Sequence, residues 1–250
     1  MDEVAAGDLG GRAALVTGAS GGIGRGVAVR LSARGARLFV VGRDRDRLDS
    51  TVNAVRRSSA GRDVTVVSMV ADLTDPGRVQ ELADDVDRRL GALDILVHAA
   101  GIYQRGILEM ASVKGLDELY QANVRVPYEL TQATLALLAC RRGDIVFINS
   151  TQGLSAGAGL GGYAATQHAM KAVGESLRAE VNSRGVRVTT IHLGRTATTR
   201  QEGIFAAEGR DYTPELLIQP DDVADVVVSI VALPKRAQVT SLTLLPTHKT

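Results

Sequence analysis

The chain is 250 residues long, 45% hydrophobic and 23% charged, enough apolar material for a large α/β core without disulfide or metal staples. Its 29 basic and 28 acidic side chains nearly cancel, and aromatics are 3% with no Trp. That composition gives no reason to expect nucleic acid, anionic lipid or single-stranded bases as partners. The lone cysteine, Cys140, rules out an intrachain disulfide framework and any multi-cysteine metal site.

Residues 1–8 are acidic and lack the basic and apolar segments of a secretory leader. No apolar run approaches the roughly 18 residues of a membrane span, so the expectation is a cytoplasmic protein with no membrane partner. Residues 13–16 read as a first strand, after which Ile23, Val27 and Leu31 recur at helical spacing up to Gly35. Further strand candidates stand at 38–41, 64–67, 93–97, 144–148, 186–191 and 239–244. Helical segments lie between them at 44–59, 76–90, 115–139 and 162–183. Most of the strands are nearly continuous in Val, Ile and Leu, the pattern of parallel strands covered on both faces. Repeated β-α alternation predicts a doubly wound α/β fold. No linker, low-complexity tract or charge block divides the chain, and residues 1–250 read as one domain.

The first strand runs into Thr17, Gly18, Ala19, Ser20, Gly21, Gly22, Ile23 and Gly24, and then into a helix. Glycines at such a turn let the backbone approach a pyrophosphate, which sits on the free N–H groups of the helix N-terminus. Placed between the first strand and first helix of a βαβ unit, the turn reads as a dinucleotide site. The second strand ends at Val41, Gly42 and Arg43. No carboxylate stands at Gly42 to hold an adenosine ribose 2′-hydroxyl, whereas Arg43 suits a 2′-phosphate, so NADP(H) is expected over NAD(H). Asp44 is an alternative ribose partner, but it also suits the N-cap of the next helix. Ser150 follows a strand and Tyr163 opens a helix, which places both on the rim where such sheets bind ligands. A Ser and a Tyr beside a nicotinamide can hydrogen-bond a carbonyl oxygen, one of them delivering the proton. His98, His168 and His192 show no metal-ligand spacing and read as structural.

From Ala13 almost to the C-terminus the chain resembles the short-chain dehydrogenase/reductase family. Gly18, Gly22 and Gly24, with Ser20 and Ile23 inside the same turn, match that family's cofactor loop. Asp72, followed by Leu73, matches its adenine-contacting aspartate, and Ala99, Ala100 and Gly101 stand where it usually has Asn-Ala-Gly. Asn123, Ser150 and Tyr163 match its catalytic Asn, Ser and Tyr. The resemblance implies a Rossmann-like fold with a seven-stranded parallel sheet, a carbonyl or alcohol substrate, and a homodimer or homotetramer. It also implies that Gly194 and Thr196 lie near the nicotinamide carboxamide.

Two positions depart from the family. Its Pro-Gly after the sixth strand reads Leu193-Gly194, and the lysine of its Tyr-x-x-x-Lys motif is Gln167. In the family that lysine holds the ribose hydroxyls and lowers the tyrosine pKa. Gln167 lies one helical turn from Tyr163 on the same face and can bond a ribose, but it supplies no charge. Lys171, a further turn along, is expected to face solvent or a neighbouring subunit rather than reach back. The leading expectation is an NADP(H)-dependent ketoreductase-type oxidoreductase, impaired at Gln167 by nature or by engineering. A non-redox cyclase, dehydratase or epimerase, and an inactive cofactor-binding protein, stay open as alternatives. Residues 196–217, with Phe205, Tyr212 and Leu216, read as a lid over the substrate.

Overall fold

The computed structural model describes residues 8–59 and 64–248, so the reading of residues 1–7 as no secretory leader lies outside it. Its strands are β1 (Ala13–Thr17), β2 (Arg37–Gly42), β3 (Val66–Val70), β4 (Ile95–His98), β5 (Asp144–Ser150), β6 (Arg187–Leu193) and β7 (Ser241–Leu244). They form one parallel sheet in the order β3-β2-β1-β4-β5-β6-β7. The strand order reverses between β1 and β4, the place where open sheets of this kind leave a crevice at the carboxyl ends of the strands. This is the expected seven-stranded Rossmann-like architecture.

The alternation within β1 shows how one apolar strand builds two cores. Ala14 and Val16 point to a core shared with α1 (Gly22–Ala33), α2 (Arg45–Ser58) and α8 (Pro220–Val231). Ala13 and Leu15 point the other way, to α3 (Arg78–Leu90), α5 (Val126–Cys140) and α6 (Gly161–Val181). Every β1 residue is therefore buried, as a strand covered on both faces requires.

Several expected boundaries move. The helix expected over 115–139 is interrupted: α4 (Val113–Tyr120) passes into a π-helical turn, Gln121–Arg125, before α5 begins. β3 starts two residues later than expected and runs to Val70, because Leu38 pairs with Val66 and Gly42 with Val70. β7 is likewise shorter, an edge strand with alternating exposure. α8 had no counterpart in the sequence reading, although Pro220 at its first turn and a capping box between Gln219 and Asp222 announce it. It packs close because α1 carries Gly26, where a Cβ would lie 3.1 Å from the Pro220 carbonyl oxygen.

The amino ends of the strands are fastened by buried charge. Asp144, at the start of β5, accepts from Arg187 Nε at 2.5 Å and Arg12 Nη2 at 2.5 Å, with Lys235 Nζ at 3.2 Å. Arg187 is itself buried and spends its remaining donors on the carbonyls of Val231, Leu233 and Ala237. Removing one partner of such a cluster leaves a buried charge uncompensated, at a cost of about 3–5 kcal/mol. Asp144→Ala is therefore expected to lower stability by about that amount in denaturant unfolding, while dinucleotide affinity at the opposite end of the sheet stays unchanged.

Candidate active site

The turn after β1 is built on contacts that only glycine permits. Gly18 has φ +68°, and a Cβ there would stand 2.7 Å from the backbone of Ala99 and Ala100. A Cβ on Gly24 would meet the Gly18 carbonyl oxygen at 2.4 Å. Thr17 completes the junction, its Oγ1 accepting from the N–H groups of both Ala99 and Ala100 at 3.2 Å. The N-terminus of α1 has no side-chain cap and no acidic residue in its first turn, so its free N–H groups and dipole face the crevice. This cradle fits a dinucleotide pyrophosphate, and Ser20, Gly22 and Ile23 line it with Gly18 and Gly24.

From the cradle a cavity of about 650 Å³ extends along the strand ends to Ser150 and Tyr163. The structure brings Ala99, Ala100, Gly101, Asn123, Gln167, Gly194 and Thr196 to its walls as well. Asn123 sits in the π-helical turn and works as a clamp on the chain after β4. Its Oδ1 accepts from Ile102 N at 2.7 Å, and its Nδ2 donates to Ile102 O at 2.9 Å. It also donates to Thr166 Oγ1 of α6 at 3.2 Å, which ties the clamp to the helix bearing Tyr163. Asn149, which the sequence reading passed over, performs the matching task for β5. It donates to the Gln167 carbonyl at 3.0 Å and accepts from Ser150 N at 2.6 Å, fixing strand end against helix.

Burial pushes the Tyr163 phenol above the ordinary tyrosine value, against the Ser150 hydroxyl and the Arg200 charge, which pull it down. A phenol raised in this way holds its proton more firmly. Its ring meets that of Tyr103 edge-on, with centroids 5.0 Å apart. Gln167 is buried and lines the cavity, its Nε2 only 3.4 Å from its neighbour Thr166 Oγ1. Lys171 does not reach back; its Nζ pairs with Glu175 at 2.8 Å, one turn in the other direction. His98 is buried against Phe147 and bonded to Thr131 at 2.9 Å, and burial pushes it down to about 3, so it stays neutral. His168 and His192 bond the carbonyls of Ala164 and Ser150, and no group of acidic, His and Cys side chains suited to a metal occurs among the described residues.

A second cavity, lined by Arg43, Asp72 and Leu73, adjoins the first beyond Gly18. Gly42 is required there, since a Cβ would lie 2.6 Å from Ser20 Oγ. Asp44 accepts from Arg47 N at 3.0 Å as the N-cap of α2. Arg43 is exposed, with Nη1 3.4 Å from Asp72 Oδ2, and Asp72 is also bonded by Thr74. The expected lid contains a helix, α7 (Thr199–Ala207), capped by Thr198. Phe205 is turned inward between Arg195 and Arg210, 4.7 and 5.0 Å from its ring centre. It therefore packs the lid and does not face substrate. Thr198 and Arg200 of the expected lid line the larger cavity, and so does Arg195, just before it, which the sequence reading did not include.

The family model for short chain dehydrogenase matches residues 12–209. The 1-deoxy-11-beta-hydroxypentalenate dehydrogenase of Streptomyces avermitilis is 37% identical over 221 residues, covering 86% of this chain and 78% of that protein. Dehydrogenase/reductase SDR family member 7B of Danio rerio is 33% identical over 230 residues, 89% of this chain and 74% of its own. Among solved structures, a short chain dehydrogenase from Burkholderia cenocepacia in complex with NADP superposes with a TM-score of 0.83 at 31% identity, covering 94% of this chain and 97% of that one. An alcohol dehydrogenase from Thermococcus sibiricus complexed with 5-hydroxy-NADP gives 0.85 at 26%, covering 96% and 98%. Among the described residues no helix is long and apolar enough to cross a membrane.

The cradle geometry makes a direct forecast. An alanine at position 18 adopts a left-handed conformation costing about 1–2 kcal/mol and drives its Cβ into backbone that cannot swing away. Gly18→Ala is expected to lower stability by at least that much and weaken NADPH binding tenfold or more in a fluorescence titration. Unaltered affinity would remove the cradle from the dinucleotide site.

Proposed function

Because the chain belongs to the short-chain dehydrogenase family, and is thereby an oxidoreductase, we propose that it is an NADP(H)-dependent reductase of a carbonyl substrate. The observation that carries this reading is the continuity of one cavity from the Gly18–Gly24 cradle to Ser150 and Tyr163. The dinucleotide supplies hydride; the chain supplies the binding, the orientation and the proton. Gly18, Ser20, Gly22, Ile23 and Gly24 would hold the pyrophosphate on backbone N–H groups. Ala99, Ala100, Gly101, Gly194, Thr196 and the Gln167 amide would border the nicotinamide riboside, with Asp72 and Leu73 at the adenine. Ser150 orients the substrate oxygen and Tyr163 protonates it, while Asn123 holds the wall opposite. Neutral Gln167 also favours a second reading, acid catalysis by protonated Tyr163 without hydride transfer, which NADPH consumption alongside product separates from reduction.

NADP(H) preference rests on Gly42, the capping role of Asp44 and the exposed Arg43. A guanidinium–phosphate contact contributes about 1.5–3 kcal/mol, so NADPH is expected to bind about ten- to a hundredfold more tightly than NADH in calorimetric titrations. Arg43→Ala should erase most of that difference. Equal affinities for the two cofactors in the parent chain would refute the preference.

The raised phenol fixes the expected pH behaviour. Tyr163 keeps its proton through neutral pH, the form that donates in reduction, whereas alcohol oxidation needs the phenolate. Reduction should therefore change little near neutrality, and oxidation should climb into the alkaline range. Gln167→Lys places an ammonium one turn from the phenol, where a nearby opposite charge lowers a pKa by about 1–3 units. It is expected to shift the oxidation profile downward by that span and to speed oxidation more than reduction. Rate profiles measured in both directions check it, and a profile unmoved by the lysine would overturn the assignment of Tyr163 as the proton-transfer group.

A further inference from the structure

With Gln167 at the family's lysine position, α6 brings no cation to Tyr163. The lid does. Arg200, the second residue of α7, donates from Nη2 to the Gly101 carbonyl at 2.6 Å, joining the lid to the chain after β4. Gly101 leads directly into Ile102, held on both sides by Asn123, and into Tyr103, whose ring packs on Tyr163. Arg200 and Tyr163 thus share the wall of one cavity, and Arg200 also borders the second cavity.

The charge of Arg200 is not neutralised. Among the described residues no carboxylate lies within ion-pair distance of it, whereas Arg195, Arg105 and Arg210 are gathered on Glu208, where Arg195 and Arg105 act on Tyr103 and not on Tyr163. Among the described residues, the other groups packed around Tyr163 supply no free cation. Ser150 on β5 and Tyr103 after β4 are neutral, Thr166 and Gln167 on α6 are uncharged, Lys171 is paired with Glu175, and His192 on β6 is held down by burial. A nearby cation favours the ionised form of a phenol, and Arg200 pulls Tyr163 in that direction.

We propose that Arg200, acting from the lid through Tyr163, supplies the positive charge that stabilises the phenolate and that Gln167 cannot provide. This rests on the reading of Tyr163 as the proton donor. In reduction the Tyr163 Oη–H bond breaks and its proton passes to the substrate oxygen, while the substrate carbon takes hydride from NADPH. The phenolate left behind is the species Arg200 holds until solvent returns the proton; oxidation runs the same transfers backwards. Because the cation arrives on α7, proton transfer is tied to the position of the lid.

The test is a spectroscopic titration of the full chain without cofactor or substrate. The chain has five tyrosines, and subtracting the Tyr163→Phe titration isolates the phenolate absorbance of Tyr163. Arg200 is exposed, so Arg200→Gln leaves the core intact. It is expected to move the Tyr163 step upward by about one pH unit, the low end for a nearby charge because solvent screens it. Arg200→Lys should restore most of the parent position, and raising the salt should shrink the difference between parent and Arg200→Gln. A Tyr163 step that Arg200→Gln leaves in place overturns the proposal. If the step moves but no carbonyl is reduced, the electrostatic role of Arg200 stands and the reductase reading fails.

Discussion

The contact between the Gly18 turn and the backbone of Ala99 and Ala100 is the constraint on which the site depends. It occurs where the strand order reverses, so β1 and β4 lie side by side while their following segments leave on opposite faces of the sheet. With no Cβ at Gly18, the two segments close to backbone contact, and Thr17 Oγ1 locks the junction through two N–H groups. The crevice floor is therefore main chain, not side chain. A floor of that kind can come within reach of a phosphate, and its shape does not change with rotamers.

From this floor the cavity wall is assembled by side-chain amides. Asn123 and Asn149 each use both ends of the carboxamide, one on the chain after β4 and the other at the end of β5. Together they set Tyr103, Ser150 and α6 in a fixed relation. The π-helical turn around Asn123 belongs to the same device: it separates α4 from α5 and aims one buried amide at Ile102 and Thr166. Turns of this kind recur at functional sites because the ladder distortion re-aims a side chain.

How much of this is legible in the sequence follows from the range of each interaction. The glycine turn, the Ser150 strand end and the opening of α6 are local patterns, and they were readable. The Asp44 cap was one of two local options, and only the structure separates them. The π-helical turn is invisible to periodicity, since a window over 115–139 averages across a single shifted turn. β3 is an edge strand whose Ser68 and Met69 blur an apolar run, and its limits come from pairing with β2. α8 carries a legible start signal in Gln219, Pro220 and Asp222. The link from Arg200 to Gly101 spans 99 positions and no local pattern contains it.

Composition misleads in one instructive respect. A net charge of +1 over the whole chain implies no electrostatic preference, yet the larger cavity is lined by Arg25, Arg47, Arg195 and Arg200 against the single carboxylate of Glu208. The carboxylates that cancel these in the total lie away from this cavity, and the Asp144 cluster at the amino ends of the strands is not their source, since it joins one acid to three bases. What remains at the carboxyl ends is a local excess of positive charge in a walled crevice, where low-dielectric sides focus the field. That field, added to the uncapped N-terminus of α1, suits a ligand carrying a pyrophosphate. It also pulls a weak acid in the crevice toward ionisation, as Arg200 pulls Tyr163, although burial outweighs that pull and leaves the phenol raised.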